Sequence, residues 1–222
     1  MIEAYTTYER GWIMRIRPAS QTPPSKVILL VHGWTGDERS MEVFTRGLPP
    51  DFLLLYPRGP VQAPAGGYGW VDRAEGGGLT HFLDLIPVCQ RLITDIDQRL
   101  AELGLNHPPL RVAGFSQGAA VTYALTLLYP ERIERAAALA GFLPTLPLPF
   151  APQDLQGIRF FVAHGTEDET IPVDKAREAV EFLRSHQAQV EYCESSTGHK
   201  LALNCYSRLN KFLGTSSSTA LG

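Results

Sequence analysis

The stretch Val112 to Ala120 (VAGFSQGAA) constrains the chain most. Leu110 to Ala113 lead in as an apolar run. A serine follows, with glycine two residues before it and two after it. Small and apolar residues then recur through Ala119, Ala120, Val121, Ala124, Leu125 and Leu128. The pattern reads as strand, sharp turn, helix, with Ser116 at the tip. A turn that holds a serine in a strained conformation leaves no room for a Cβ on its neighbours, so the glycines have a steric task. The strain aims the hydroxyl at solvent, and the helix start behind it favours developing negative charge. The competing reading is a serine that caps the helix after a glycine turn.

Two strands before this stretch are continuous apolar runs rather than alternating ones. Lys26 to Val31 and Phe52 to Tyr56 suit strands covered on both faces, as in a parallel sheet. Trp12 to Arg17 alternates, as an edge strand does. Ile133 to Leu139, Ile158 to Ala163 and Gln189 to Cys193 complete the strand set. Helices are expected over Met41 to Leu48, over Val88 to Leu103 with Pro87 near its first turn, over 117–129, after Pro172, and along the stripe Leu201, Cys205, Leu209 and Phe212. Strands and helices alternate from residue 26 onward, which specifies an α/β fold: a mostly parallel central sheet with helices on both faces. Neither an internal repeat nor a domain boundary is visible. The 222 residues are read as a single domain over 1–213 and a frayed Ser/Thr/Gly tail over 214–222.

Composition excludes several roles. A formal charge of −3 leaves no basic face for nucleic acid. No stretch of about 18 apolar residues exists to span a membrane, and Met1 to Arg10 lacks the apolar centre of a signal peptide. The expected location is cytoplasmic. Cys89, Cys193 and Cys205 form no C-x-x-C pattern, and reduced, mostly buried thiols are expected. The long loop Arg58 to Gly78 carries Tyr68, Trp70 and Asp72, and its aromatics argue for order and function. Its Gly76-Gly77-Gly78 run does not follow a strand and is not a phosphate loop.

A nucleophilic serine needs a base, and the base needs an orienting carboxylate. Of six histidines, His32 and His164 lie in His-Gly turns that suit structural roles, and His81, His107 and His186 sit in or beside helical segments. His199 lies in the loop between the last strand and the last helix, where it can swing over a nucleophile. The loop after strand 158–163 offers Glu167, Asp168, Glu169 and Asp174. Asp174 opens a helix, which explains it. Asp168 is the preferred acid, although spacing alone does not separate it from the neighbouring glutamates. The order Ser116, Asp168, His199 is that of α/β hydrolases.

With these residues in place, the chain resembles the phospholipase/carboxylesterase family of small α/β hydrolases, which includes acyl-protein thioesterases and bacterial carboxylesterases. The resemblance rests on residues 28–37, 114–118, 164–172 and 195–199: His32-Gly33-Trp34-Thr35-Gly36-Asp37, the pentapeptide Gly114 to Gly118, His164 to Pro172, and Gly198-His199. Tyr68 to Asp72 also resembles the family's Trp-containing loop. The resemblance implies the α/β-hydrolase fold without a large lid domain and strengthens Asp168 as the acid. It implies a carboxylesterase acting on esters, thioesters or lysophospholipids through an acyl-enzyme on Ser116, with no metal or organic cofactor. The partner is then a small-molecule ester, and the protein a monomer or homodimer. The oxyanion is expected at the backbone N–H of Gln117 and, by resemblance, of Trp34. Tyr68, Trp70, Phe142 and Leu143 are expected to line an acyl pocket. The family usually has a small aliphatic residue where this chain has Trp34, and one extra residue separates Gly33 from Gly36. A large indole there is expected to narrow the groove, unless it packs outward on Tyr68 or Trp70. A dienelactone-hydrolase-like enzyme, which would carry cysteine in place of Ser116, and an inactive binding protein are the alternatives.

Overall fold

The computed structural model describes residues 4–9, 12–72, 80–148 and 155–215. The Gly76 to Gly78 run and most of the expected tail lie outside them. Among the described residues ten strands and four α-helices follow one another: β1 (Tyr5–Glu9), β2 (Trp12–Arg17), β3 (Lys26–Val31), β4 (Phe52–Pro57), β5 (Val61–Gln62), β6 (Tyr68–Gly69), α1 (Phe82–Glu102), β7 (Leu110–Phe115), α2 (Gln117–Leu128), β8 (Ile133–Leu139), β9 (Arg159–Gly165), α3 (Asp174–Ser185), β10 (Gln189–Ser195) and α4 (Leu203–Gly214). Eight of the strands form one sheet in the order β1-β2-β4-β3-β7-β8-β9-β10. From β4 to β10 the pairing is parallel, and β1 and β2 add an antiparallel flank.

The continuous apolar runs have a direct cause. Successive side chains of a strand point to opposite faces, and both faces of this sheet carry a core. On β3, Val27, Leu29 and Val31 enter one cluster with α1, α2 and α3. Ile28 and Leu30 enter the other with Met41 and the α4 residues Leu209 and Phe212. On β9, Phe160 and Val162 serve the first core, Phe161 and Ala163 the second. Each of the Val, Leu, Ile, Met and Phe side chains among these contributes about 1.5–3 kcal/mol by leaving water. The helix α2 lies between the sheet and α1, and 11 of its 12 residues are buried. That explains its all-round apolar sequence.

Several expectations change. Trp12–Arg17 is not the edge: β1 pairs outside it, with Tyr5 opposite Ile16. The expected helix over 41–48 is one 3-10 turn, Glu42–Phe44. The long helix starts earlier than expected, at Phe82, so Pro87 sits inside it. Proline has no N–H to give the carbonyl of Leu83, a residue 58% exposed at the solvent side of the helix. At the other end of the sheet, the fully buried Arg111 and Arg135 donate to the carbonyls of Leu213 and Phe212, capping α4.

The thiols also differ from expectation. Cys193 on β10 and Cys205 on α4 form a disulfide across a Cα–Cα distance of 5.8 Å, and Cys89 is a buried free thiol. The pairing comes from docking a helix face on a strand, which no spacing rule encodes. Disulfides persist mainly in oxidising compartments, so this bond and a cytoplasmic location pull in opposite directions. The unfolded, unreduced protein should therefore show one thiol to a chromogenic disulfide reagent, and three after reduction. Three thiols before reduction would contradict the bond.

Candidate active site

The carboxyl ends of β3, β7, β9 and β10 converge, and the candidate residues sit there. Ser116 follows β7 with φ 55° and ψ −116°, a sparsely populated conformation for any side chain. Two glycines make it possible. A Cβ on Gly114 would lie 2.0 Å from the carbonyl oxygen of Gly118, and one on Gly118 would lie 2.2 Å from that of Val31. The Ser116 side chain makes no cap bond to the helix, so the helix-cap reading does not describe it. Gln117 is the first residue of α2, where a backbone N–H has no acceptor within the helix.

Asp168 lies in the turn after β9 with its side chain fully buried. Its Oδ1 accepts the N–H groups of Thr170 and Ile171, each at 2.9 Å. Its Oδ2 accepts Nδ1–H of His199 at 2.7 Å. In the neutral imidazole this bond puts the lone pair on Nε2, the tautomer a general base requires. Neither Glu167 nor Glu169 is placed like this; both are exposed. Asp174 is taken by Arg177 at the start of α3. The second histidine of the region, His164, is buried and donates from Nε2 to the carbonyl of Ile171 at 2.8 Å, with Oδ2 of Asp168 at 3.3 Å. Sequence reasoning gave it a purely structural turn role and missed this approach to the carboxylate. The imidazole of His199 packs on the ring of Phe115, centroids 5.0 Å apart. Ser116 and His199 line one cavity of about 430 Å3 without a hydrogen bond between them. Such bonds often close only when substrate arrives.

The rest of that cavity is formed by Gly33, Trp34, Thr35, Gly36, Ser40, Met41, Val43, Phe44 and Phe115. Trp34 is half-buried on the turn after β3, and its indole is backed by Gly69: a Cβ there would lie 2.1 Å from Cε3 of the ring. The indole thus rests on the β5–β6 hairpin and still forms a wall of the cavity. Thr35, at φ 64°, turns the chain directly after it.

The other expected lining residues lie elsewhere. Trp70 is fully buried, and its Nε1–H donates to the carbonyl of His32 at 2.7 Å. Gln117 holds the same loop: its Oε1 accepts the N–H of Trp70 and its Nε2 donates to the carbonyl of Val71, both at 2.9 Å. The Tyr68 ring lies under the guanidinium of Arg58 at 4.6 Å. Phe142 is in the core of the first face, with Leu143 packed against that core. Met41, Phe44 and Phe115, which the sequence did not single out as lining residues, form the apolar wall instead. Their signal was weak in the sequence, because all three also read as ordinary core positions. His32 behaves as a structural residue. It donates from Nδ1 to the carbonyl of Gly33 and accepts the N–H of Gly59 at Nε2, and burial holds its pKa below the ordinary histidine value.

Residues 15–217 match the family model for phospholipase/carboxylesterase. The chain belongs to that family. Among curated relatives, a probable carboxylesterase of Arabidopsis thaliana, SOBER1-like, is 27% identical over 67% of this chain, which spans 61% of that relative. A probable inactive carboxylesterase of Oryza sativa is 24% identical, over 82% of this chain and 81% of its own. The crystal structure of a carboxylesterase from Mesorhizobium loti superposes with a TM-score of 0.81 at 23% identity, covering 95% of this chain and 98% of that one. It shares the fold. No helix among the described residues is long and apolar enough to cross a membrane.

Proposed function

We propose that this chain is a serine ester hydrolase working through an acyl-enzyme. The observation that carries the reading is the pairing of a strained serine turn with a histidine on the same cavity, whose Nδ1–H is held by a buried carboxylate. His199 Nε2 takes the proton of Ser116 as Oγ adds to the carbonyl carbon. The oxyanion is met by the backbone N–H groups of Gln117 and Trp34, each worth on the order of 3 kcal/mol in the transition state. His199 then gives its proton to the departing alcohol or thiol. Water, deprotonated by the same nitrogen, releases the acid and restores Ser116. Asp168 keeps the imidazole in its tautomer and stabilises the imidazolium. The apolar walls given by Met41, Phe44 and Phe115 suit an alkyl or aryl group rather than a sugar or peptide backbone.

The test is a panel of p-nitrophenyl esters of increasing chain length with a thioester beside it. Saturable turnover of at least one member is expected. No turnover above the uncatalysed rate would favour an inactive scaffold, the state named for the Oryza sativa relative.

Trp34 sets the chain length in this scheme. Its indole covers a wall that a small aliphatic residue would leave open, and Gly69 behind it gives the ring a fixed seat. Trp34→Leu should raise kcat/KM on octanoyl over acetyl esters by about tenfold, the worth of one or two methylenes of new contact. An unchanged chain-length profile would mean that the indole does not limit the groove.

A further inference from the structure

The catalytic cavity continues past the histidine loop. A second cavity, of about 550 Å3, shares Val43, Phe44 and Phe115 with it and runs on to Leu201, Leu203 and Tyr206. The surface here is unusual in two ways. Val43 is 48% and Leu203 85% exposed, so two of the six large apolar side chains that stand out among the described residues lie on this one groove. Contiguous exposed apolar surface beside an active site marks a place that something apolar covers. The second feature is charge. Arg46 and Lys200 complete the wall, both exposed, and neither side chain has an ion-pair partner among the described residues. Among the described residues no carboxylate lines either cavity. The acid nearest in sequence to Arg46, Glu42, is paired with Arg15.

We infer that the substrate is an amphiphilic ester whose apolar body lies along Phe44, Phe115 and Leu201 and whose far end carries an anion held by Arg46 and Lys200. The inference rests on the esterase reading and names its substrate class. Alkyl stems on both cations continue the apolar wall, while their charged ends reach water, which suits a chain that ends in a charge. The anion sits on whichever side of the scissile bond enters this groove, the acyl side or the alcohol side. Lys200 directly follows His199, which hands its proton to the leaving alcohol, and that adjacency favours the alcohol side.

Three matched esters test this: hexyl hexanoate, monohexyl adipate with a carboxylate ending the acyl chain, and the hexanoyl ester of omega-hydroxyhexanoate with a carboxylate ending the alcohol. One anionic ester should exceed the neutral one in kcat/KM by about fivefold, through KM, as two solvent-exposed ion pairs allow. The anionic-to-neutral ratio should fall toward one in Arg46→Gln/Lys200→Gln. It should also fall in the unaltered enzyme as salt rises from about 0.01 M to about 1 M, where the screening length drops from ~30 Å to ~3 Å. Reading the ratio cancels any general change in kcat caused by a substitution beside His199. A ratio of one or less for both anionic esters would overturn the inference while leaving the esterase reading intact, and so would a preference that the double variant retains. Failure to hydrolyse all three esters would overturn the inference, while turnover of the p-nitrophenyl panel decides separately whether the esterase reading stands.

Discussion

Ser116→Ala should lower kcat/KM on the best aryl ester by about 10^4-fold or more, the scale seen when the nucleophile of a serine hydrolase is removed. The loss should appear in kcat. The fold should survive, because the Ser116 side chain caps nothing and its strained backbone is imposed by Gly114 and Gly118 rather than by its hydroxyl. Alanine keeps the same Cβ and meets no new atom. Initial rates and a thermal melt on the same preparation check both halves. Activity within tenfold of the parent, with an unchanged melt, would remove Ser116 from the chemistry.

Asp168→Asn carries the second large effect, about 10^3- to 10^4-fold in kcat. The side chain can keep its Oδ1 bonds to the N–H groups of Thr170 and Ile171, so the turn after β9 should hold. Its amide nitrogen would then face Nδ1 of His199 and donate where the carboxylate accepted. The imidazole would answer by moving its proton to Nε2 and would no longer be a base toward Ser116. Glu167→Gln and Glu169→Gln, on the exposed neighbours, should cost less than about threefold, as surface substitutions do not reorient the imidazole. Steady-state kinetics of the three variants decide the matter. Equal losses at Asp168 and Glu169 would mean that the carboxylate acts through general charge rather than through one hydrogen bond.

The fold was legible where local sequence and burial say the same thing. Lys26 to Val31 and Phe52 to Tyr56 read as doubly covered strands because each really does send alternate side chains into two separate cores. The serine turn was legible because its glycines answer a steric demand within five residues. Legibility ended where distant segments meet. Tyr5–Glu9 pairs with Trp12–Arg17, and although its tyrosines and threonines favour a strand, a stretch of five residues does not say which strand it joins. Cys193 and Cys205 become partners only when α4 docks on β10. Trp70 looked like a lining residue because it is an aromatic in a long loop. The tertiary structure spends its indole on the carbonyl of His32 instead, which braces the turn carrying Trp34. Phe44 and Phe115 stack on each other, 5.9 Å between centroids, at the floor of the cavity. Their strand-end and turn positions gave no hint that they face a cavity rather than the core.

The most direct measurement is covalent trapping. A fluorophosphonate reacts with a serine only when a neighbouring base activates its oxygen and donors receive the developing negative charge. Incubation of the intact protein, followed by whole-protein mass and peptide mapping, should show one label per chain, on the peptide that carries Ser116. The label should be absent from Ser116→Ala and much slower to form in Asp168→Asn. No adduct on the folded protein, or an adduct on any other residue, would contradict the assignment of Ser116 as the nucleophile.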